Sequence, residues 1–227
     1  YKRQGETGLG KSTLVNTLFN TNLVPSGEER AAMYEPTQTV GIETISADIE
    51  ENDVRLRLNI IDTPGFGDFV NNENAWDPIL QTIEARFEAY LEQENRVNRA
   101  KIQDSRVHAL LYFIQPTGHA LRPIDLEFLS RLHKRVNIIP VIAKSDTVSP
   151  DELPLFKQRI MRDLAHHGIQ TVSLSPHEQD DEETVAELQE IQSKIPFAIV
   201  GSNSLVTTAD GRRVRGRSYP WGVIEID

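Results

Sequence analysis

The sequence predicts an α/β fold of three layers, in which a mostly parallel sheet is covered by helices on both faces. Three observations carry that expectation. Strand-like and helix-like segments alternate along the chain, which is the pattern that places crossover helices between parallel strands. Two largely apolar runs, Arg106–Ile114 and Val136–Ala143, read as strands buried on both faces. Near the start, Gly5 to Ser12 spell Gly-Glu-Thr-Gly-Leu-Gly-Lys-Ser, a glycine-rich turn that opens into a helix. A chain of 227 residues with 38% hydrophobic content can bury one sizeable core, so a single domain over 1–227 is expected.

Taken in chain order, the turn leads into a helix over Ser12–Phe19. Glycines at both ends let several amide N–H groups point inward at an anion, and the helix N-terminus is aimed at the same charge. Such a loop wraps nucleotide phosphates. Gly5, Glu6, Thr7, Gly8, Leu9 and Gly10 would form the cradle, Lys11 would bridge the outer phosphates, and Ser12, beside Thr13, would hold Mg²⁺. An alternating run, Val54–Ile61, has the period of a strand and delivers Asp62 to a sheet edge, followed by Thr63, Pro64 and Gly65. An Asp in that place holds Mg²⁺ through water, and the Gly65 amide can sense a γ-phosphate. A helix is expected over Ile79–Glu92, with Ile79, Ile83, Phe87, Tyr90 and Leu91 on one stripe.

The strand Arg106–Ile114 then leads to a helix over Pro123–Val136, and the strand Val136–Ala143 discharges into Lys144-Ser145-Asp146. A carboxylate at Asp146 can accept from both guanine N1–H and the 2-amino group, neither of which adenine offers, while the Lys144 stem lies against the base. A helix over Asp151–His166, short strands over Ile169–Leu174 and Phe197–Val200, and a helix over Thr184–Lys194 complete the pattern. The acidic lead-in at 177–183 suits the dipole of that last helix.

Read singly, Asp-Thr-Pro-Gly is an ordinary turn and Lys-Ser-Asp an ordinary solvated loop. Their order is less ordinary: a phosphate loop, a strand ending in D-x-x-G, then a buried strand ending in K-x-D is how a P-loop GTPase lays out its site. The chain also resembles the septin family over essentially all of its length. Gly5 to Thr13, Asp62 to Asp68, Ala143 to Asp146, Pro196 to Asn203 and Val214 to Gly222 all resemble septin motifs. The stretch Arg215-Gly-Arg-Ser-Tyr-Pro-Trp-Gly222 discriminates best, since small signalling GTPases lack it.

The resemblance implies a P-loop NTPase fold with a septin-specific C-terminal β element over 204–227, and GTP/GDP with Mg²⁺ as ligands. It implies that Thr39 closes over the γ-phosphate and the metal and helps to place water, with Thr37 a nearby competitor. Phe66 stands where fast-cycling GTPases carry a Gln, so hydrolysis should be slow and lean on Lys11, Mg²⁺ and the loop amides. Gly201 would approach the guanine and Arg217 would lie beside it, although Arg212, Arg213 and Arg215 are also at hand. Septin pockets pair face to face. His119 would then reach the phosphates of the opposite subunit, Thr147 and Glu152 would touch nucleotide across the contact, and Trp221 would pack there.

A second two-fold contact would continue such pairs into filaments of septin subunits. The family serves as a cytoplasmic cytoskeletal scaffold at the septin ring in cytokinesis. The alternative is a monomeric regulatory switch GTPase, against which the missing Gln and the Arg217–Gly222 stretch count. An adenine-using P-loop enzyme is opposed by Asp146.

The remaining composition sets bounds. No apolar run approaches the roughly 18 residues of a membrane span. The absence of cysteine excludes a disulfide framework, and the formal net charge of −10 argues against nucleic acid as a partner. Only Tyr1 to Gln4 precede the phosphate loop, too short and polar for the buried strand from which such loops hang, so a fragment that folds poorly alone is expected. The resemblance also implies a basic segment before the domain that holds anionic lipid; only Lys2 and Arg3 stand where it would begin, and two cations do not make a lipid site.

Overall fold

The structure, a computed structural model, describes residues 9–18, 43–51, 54–62, 76–97, 102–178, 180–208 and 210–226. In chain order the elements are α1 (Lys11–Leu18), β1 (Glu43–Glu51), β2 (Val54–Asp62), α2 (Asp77–Glu94), β3 (Ala109–Ile114), α3 (Pro123–Leu132) and β4 (Asn137–Ile142). A 3₁₀ turn (Ser145–Thr147), α4 (Glu152–His166), α5 (Glu182–Ser193), β5 (Phe197–Ala198), β6 (Leu205–Thr207), β7 (Arg213–Tyr219) and β8 (Gly222–Glu225) follow. The chain divides into two compact units, Tyr1–Ile79 with Val200–Asp227, and Leu80–Ile199.

The second unit carries the parallel sheet, in the order β3-β4-β5. β3 and β4 pair from Ala109↔Asn137 to Ile114↔Ile142, while β5 adds only Val141↔Phe197 and Ile142↔Ala198. Consecutive burial of Pro140, Val141, Ile142 and Ala143 means that both faces of β4 are covered, as its apolar run predicts. Helices supply the cover with their apolar stripes. α3 buries Asp125, Phe128, Leu129 and Leu132, and α4 buries Phe156, Ile160 and Leu164, both at the three- and four-residue spacing of one helical face. Tyr112 of β3 stacks on Phe128 with ring centroids 5.5 Å apart. The α/β arrangement expected from the sequence is thus present.

Several boundaries differ from the sequence reading. The strand expected at Ile169–Leu174 does not form a ladder; one bond, from Val172 N–H to the Ile138 carbonyl, ties it beside the start of β4. The helix expected to reach Val136 stops at Leu132, where His133, Arg135 and Val136 close a turn by donating to the Leu129 and Leu132 carbonyls. The strand expected from Arg106 starts at Ala109, because Arg106 is engaged by Asp104, which accepts from its backbone N–H, Nε and Nη2. Asp181 caps α5 by accepting from Thr184 N–H, so that helix begins earlier than Thr184.

In the first unit, β1 and β2 form an antiparallel ribbon from Glu43↔Asp62 to Glu51↔Val54. The sequence reading had no strand at β1, although Ile45, Ala47 and Ile49 alternate with polar residues. One face of the ribbon matches chemistry to register. Arg55 pairs with Glu50 at 3.1 Å, Arg57 with Asp48 at 2.9 Å, and Ser46 donates to Asn59 at 2.7 Å, each directly opposite in the ladder. The C-terminal β element implied by the resemblance is the antiparallel sheet β6-β7-β8. Gly216 is buried there, and a Cβ on it would collide with the Val206 side chain and the Ile224 carbonyl. No helix of the described residues is long and apolar enough to cross a membrane.

Candidate functional site

The expected site residues fall in both units. In the first unit Leu9 and Gly10 lead into α1, whose first turn is opened by the bond from Leu14 N–H to the Gly10 carbonyl at 2.8 Å. Lys11, Ser12 and Thr13 occupy that turn, half-buried. Amides of a first helical turn have no partner within the helix, so this end of α1 offers donors and a positive dipole to an anion. Two contacts fix the helix. Thr17 Oγ1 donates toward the Thr13 and Ser202 carbonyls, and Arg215 Nη1 of β7 donates to the Thr17 carbonyl at 3.1 Å.

Gly201, expected beside the guanine, lies against α1 itself: a Cβ there would stand 3.5 Å from the Leu14 backbone. Arg217 is half-buried on β7, its guanidinium 5.3 Å from the Tyr219 ring centroid. Trp221 is 79% exposed and stacks on Tyr219 at 4.8 Å, with the rings 8° from parallel. It is a surface ring. Asp62 closes β2 opposite Glu43. Gly5, Glu6, Thr7, Gly8, Thr37, Thr39, Gly65 and Phe66 lie outside the described residues.

In the second unit, the loops after β3 and β4 leave from the carboxyl ends of parallel strands, which is where open α/β sheets hold ligands. The Lys144–Thr147 turn is anchored from both neighbouring strands. Ala143 N–H donates to the Ile114 carbonyl at 3.0 Å, Ser145 N–H to the Ile199 carbonyl at 3.1 Å, and Ile199 N–H to the Ile142 carbonyl at 3.0 Å. Lys144 itself stands at φ 47°, ψ 48°, in the left-handed region, and Thr147 donates to its carbonyl from both N–H and Oγ1. Lys144 and Asp146 are half-buried, while Thr147 is exposed.

Glu152 opens α4 and is engaged at its own helix end. Its carboxylate accepts from Ser149 N–H and Oγ, and its own N–H donates back to Ser149 Oγ. The spacing Ser149-x-x-Glu152 is that of a capping box and could have been read from the sequence.

His119 is exposed in the loop after β3, where its N–H donates to Thr117 Oγ1 at 3.3 Å. The sequence reading missed what holds that loop. Arg159 of α4 donates from Nη1 to the Gly118 carbonyl at 2.8 Å, and Asp163, one turn on, accepts from Leu121 N–H at 3.3 Å. At the loop's far end, buried Asp125 accepts from Tyr112 Oη at 2.7 Å and from Arg122 through N–H, Nε and Nη2. Pro123 in the first turn of α3 is a sequence signal for the helix start, but no sequence spacing announces a bond between residues 118 and 159. Among the described residues no cluster of three or more His, Cys, Asp or Glu is placed to hold a metal.

A family model described as Septin matches residues 4–227. The chain is 50% identical to the septin homolog spn1 of Schizosaccharomyces pombe, over 98% of this chain and 48% of that protein. It is 49% identical to cell division control protein 3 of Candida albicans, over 98% of this chain and 54% of that protein. The chain therefore spans about half the length of the curated relatives it matches. Among solved structures, the septin GTPase domain of Chlamydomonas reinhardtii aligns with a TM-score of 0.65 and 27% identity, over 97% of this chain and 82% of that one. A whole-chain family match and close to 50% identity across nearly every residue lead to one conclusion: this chain belongs to the septin family.

Proposed function

We propose that the protein is a guanine-nucleotide-binding septin subunit that hydrolyses GTP slowly and assembles with other septin chains through nucleotide-containing contacts, as a scaffold in cell division. The observation that carries this reading is the Lys144–Thr147 turn. It hangs from the carboxyl end of a doubly buried strand and is tied by backbone bonds to both neighbouring strands, so Asp146 sits on a rigid support. A carboxylate held that way can accept two guanine N–H bonds without ordering cost at the moment of binding.

The first turn of α1 supplies the other requirement. Its free amides suit a polyphosphate, Lys11 adds a cation, and the Ser12 hydroxyl fits as an Mg²⁺ ligand, with Asp62 at the end of β2 acting through water. Bound Mg²⁺ would neutralise phosphate charge. Thr39, at the γ-phosphate, remains the proposed water-positioning residue, and the role of Gly65 is the proposed γ-phosphate sensor. In the paired state His119, Thr147 and Glu152 would face the neighbouring subunit's nucleotide. Exposed Trp221, stacked on Tyr219, offers the flat apolar surface that such contacts bury.

The decisive test is nucleotide content and competition, measured on the complete protein. GDP or GTP should co-purify, and ATP at hundredfold excess should fail to displace it. Asp146→Ala should weaken GTP binding by about 100-fold or more, because guanine would lose two charge-assisted bonds at once. Equal binding of ATP and GTP by the parent would refute the reading.

A further inference from the structure

We propose that Arg159 and Asp163 of α4 are positioning residues for His119, holding its loop in the form that meets a second subunit's nucleotide. The inference rests on the reading above that His119 faces a neighbour's phosphates.

The geometry begins with how little of the loop holds itself. Within residues 115–121 the described local bonds are Thr117 N–H to the Gln115 carbonyl and His119 N–H to Thr117 Oγ1, both short-range turns, and the Arg122–Asp125 bonds hold only the entry to α3. Gly118 adopts a φ of 71°, and beyond its own chain neighbours no heavy atom lies within 4 Å of the place a Cβ would take, so tertiary contact with a side chain there does not define that bend. A left-handed glycine in open space is a hinge unless something outside the loop fixes its peptide. Arg159 does so. Its Nη1 reaches the Gly118 carbonyl, the group attached directly to the His119 amide, at 2.8 Å. One turn further along α4, Asp163 Oδ2 accepts from Leu121 N–H at 3.3 Å, two residues beyond His119 on the other side. His119 is thus bracketed by two bonds from one helix face.

That helix is a firm base. Phe156, Ile160 and Leu164 are each at most 1% exposed, so the backbone carrying Arg159 and Asp163 is fixed by the core. The same helix starts at Glu152, just past the Lys144–Thr147 turn, and Lys157 Nζ donates to the Lys194 carbonyl at 2.9 Å, pinning the end of α5. Both bonds to the loop are charge-assisted and directed at backbone, so they set the loop's path without dictating its side chains. An exposed histidine that must meet an anion on another molecule loses affinity in proportion to the fraction of time its loop points elsewhere. Pre-ordering by α4 removes that loss.

The test is the pairing affinity of the complete, GDP-loaded protein, read by sedimentation, for the variants below and the parent. His119→Ala is expected to weaken pairing about tenfold, and Arg159→Ala to weaken it by a similar factor. Asp163→Ala should act in the same direction. The double variant His119→Ala/Arg159→Ala should pair no more weakly than His119→Ala alone, because a bracket has nothing to position once the imidazole is gone. Arg159→Lys, which keeps a cationic donor, should recover most of the loss, separating positioning from general damage to α4. If Arg159→Ala pairs like the parent, or the double variant loses the product of both factors, the inference is overturned while the contact reading stands. If His119→Ala pairs like the parent, the contact reading fails and takes this inference with it.

Discussion

The ribbon β1–β2 and the sheet β3–β4–β5 both rest on backbone ladders, yet they use side chains in opposite ways. On the ribbon's polar face, register is written in exposed pairs: Arg55 with Glu50, Arg57 with Asp48, Ser46 with Asn59. On the sheet, register is written in burial, with Ile138 and Ile142 fully enclosed. Exposed ion pairs choose between alignments but add little stability, because water competes for both partners. Buried apolar contacts supply the stability, and the sheet is also where the Lys144–Thr147 turn, proposed to recognise nucleotide, and the His119 loop are suspended.

Ile160 is fully buried, and Ile160→Ala should destabilise the complete protein by about 2–5 kcal/mol in urea unfolding, through lost transfer energy and a residual cavity. A loss under about 1 kcal/mol would mean that the sheet's cover is not what holds it. The next effect belongs to the antiparallel region. Gly216→Ala drives a methyl into Val206 and the Ile224 carbonyl, and overpacking of this kind costs about 1–3 kcal/mol. A neutral result would show that β6–β8 yields where β4 does not.

A smaller effect is expected from acid. Arg106 hydrogen-bonds Asp104 and holds its carboxyl well below the usual carboxylate range, against some loss of solvation. Because the folded value is depressed, this stabilisation is present above the ordinary value of 3.8 and drains away as pH falls below it. Asp104→Asn should therefore lower the melting temperature slightly at pH 7 and leave the difference shrinking at pH 3; a difference that grows in acid would reverse the sign. Least of all is expected from the ribbon. Arg57 and Asp48 are mostly exposed, so Arg57→Gln should leave the melting temperature within measurement scatter, and a clear drop would make the ribbon's pairs more than a register device.

The parts of this molecule written in local pattern were legible in the sequence. The doubly buried strand before Lys144 and the stripes of α3 and α4 were readable, since each depends on spacing within a dozen residues. β1 had a readable alternation at Ile45, Ala47 and Ile49, but the charged and polar residues between them make it a two-faced, weakly apolar run, and no strand was expected there. The strand at Ile169–Leu174 failed for a different reason: its apolar residues fit a strand, but pairing is a property of the neighbour, and β4 gives it one bond. Of the candidate site, the turn at Lys144–Asp146 and the start of α1 followed from motifs. The bracket on His119 did not, because Gly118 and Arg159 are 41 residues apart and meet only through the packing of α4.

Lys144 is held in the left-handed backbone region. A non-glycine residue at φ 47° carries a backbone penalty of about 1–2 kcal/mol, and here the penalty falls on the residue whose long stem is proposed to lie along the base. Glycine at this position would relax the chain and remove the stem proposed to cover the base. The tightest-folding version of the turn and the best-recognising one are therefore different sequences, and any selection for thermal resilience alone should drift toward a protein that melts later and holds its ligand less well.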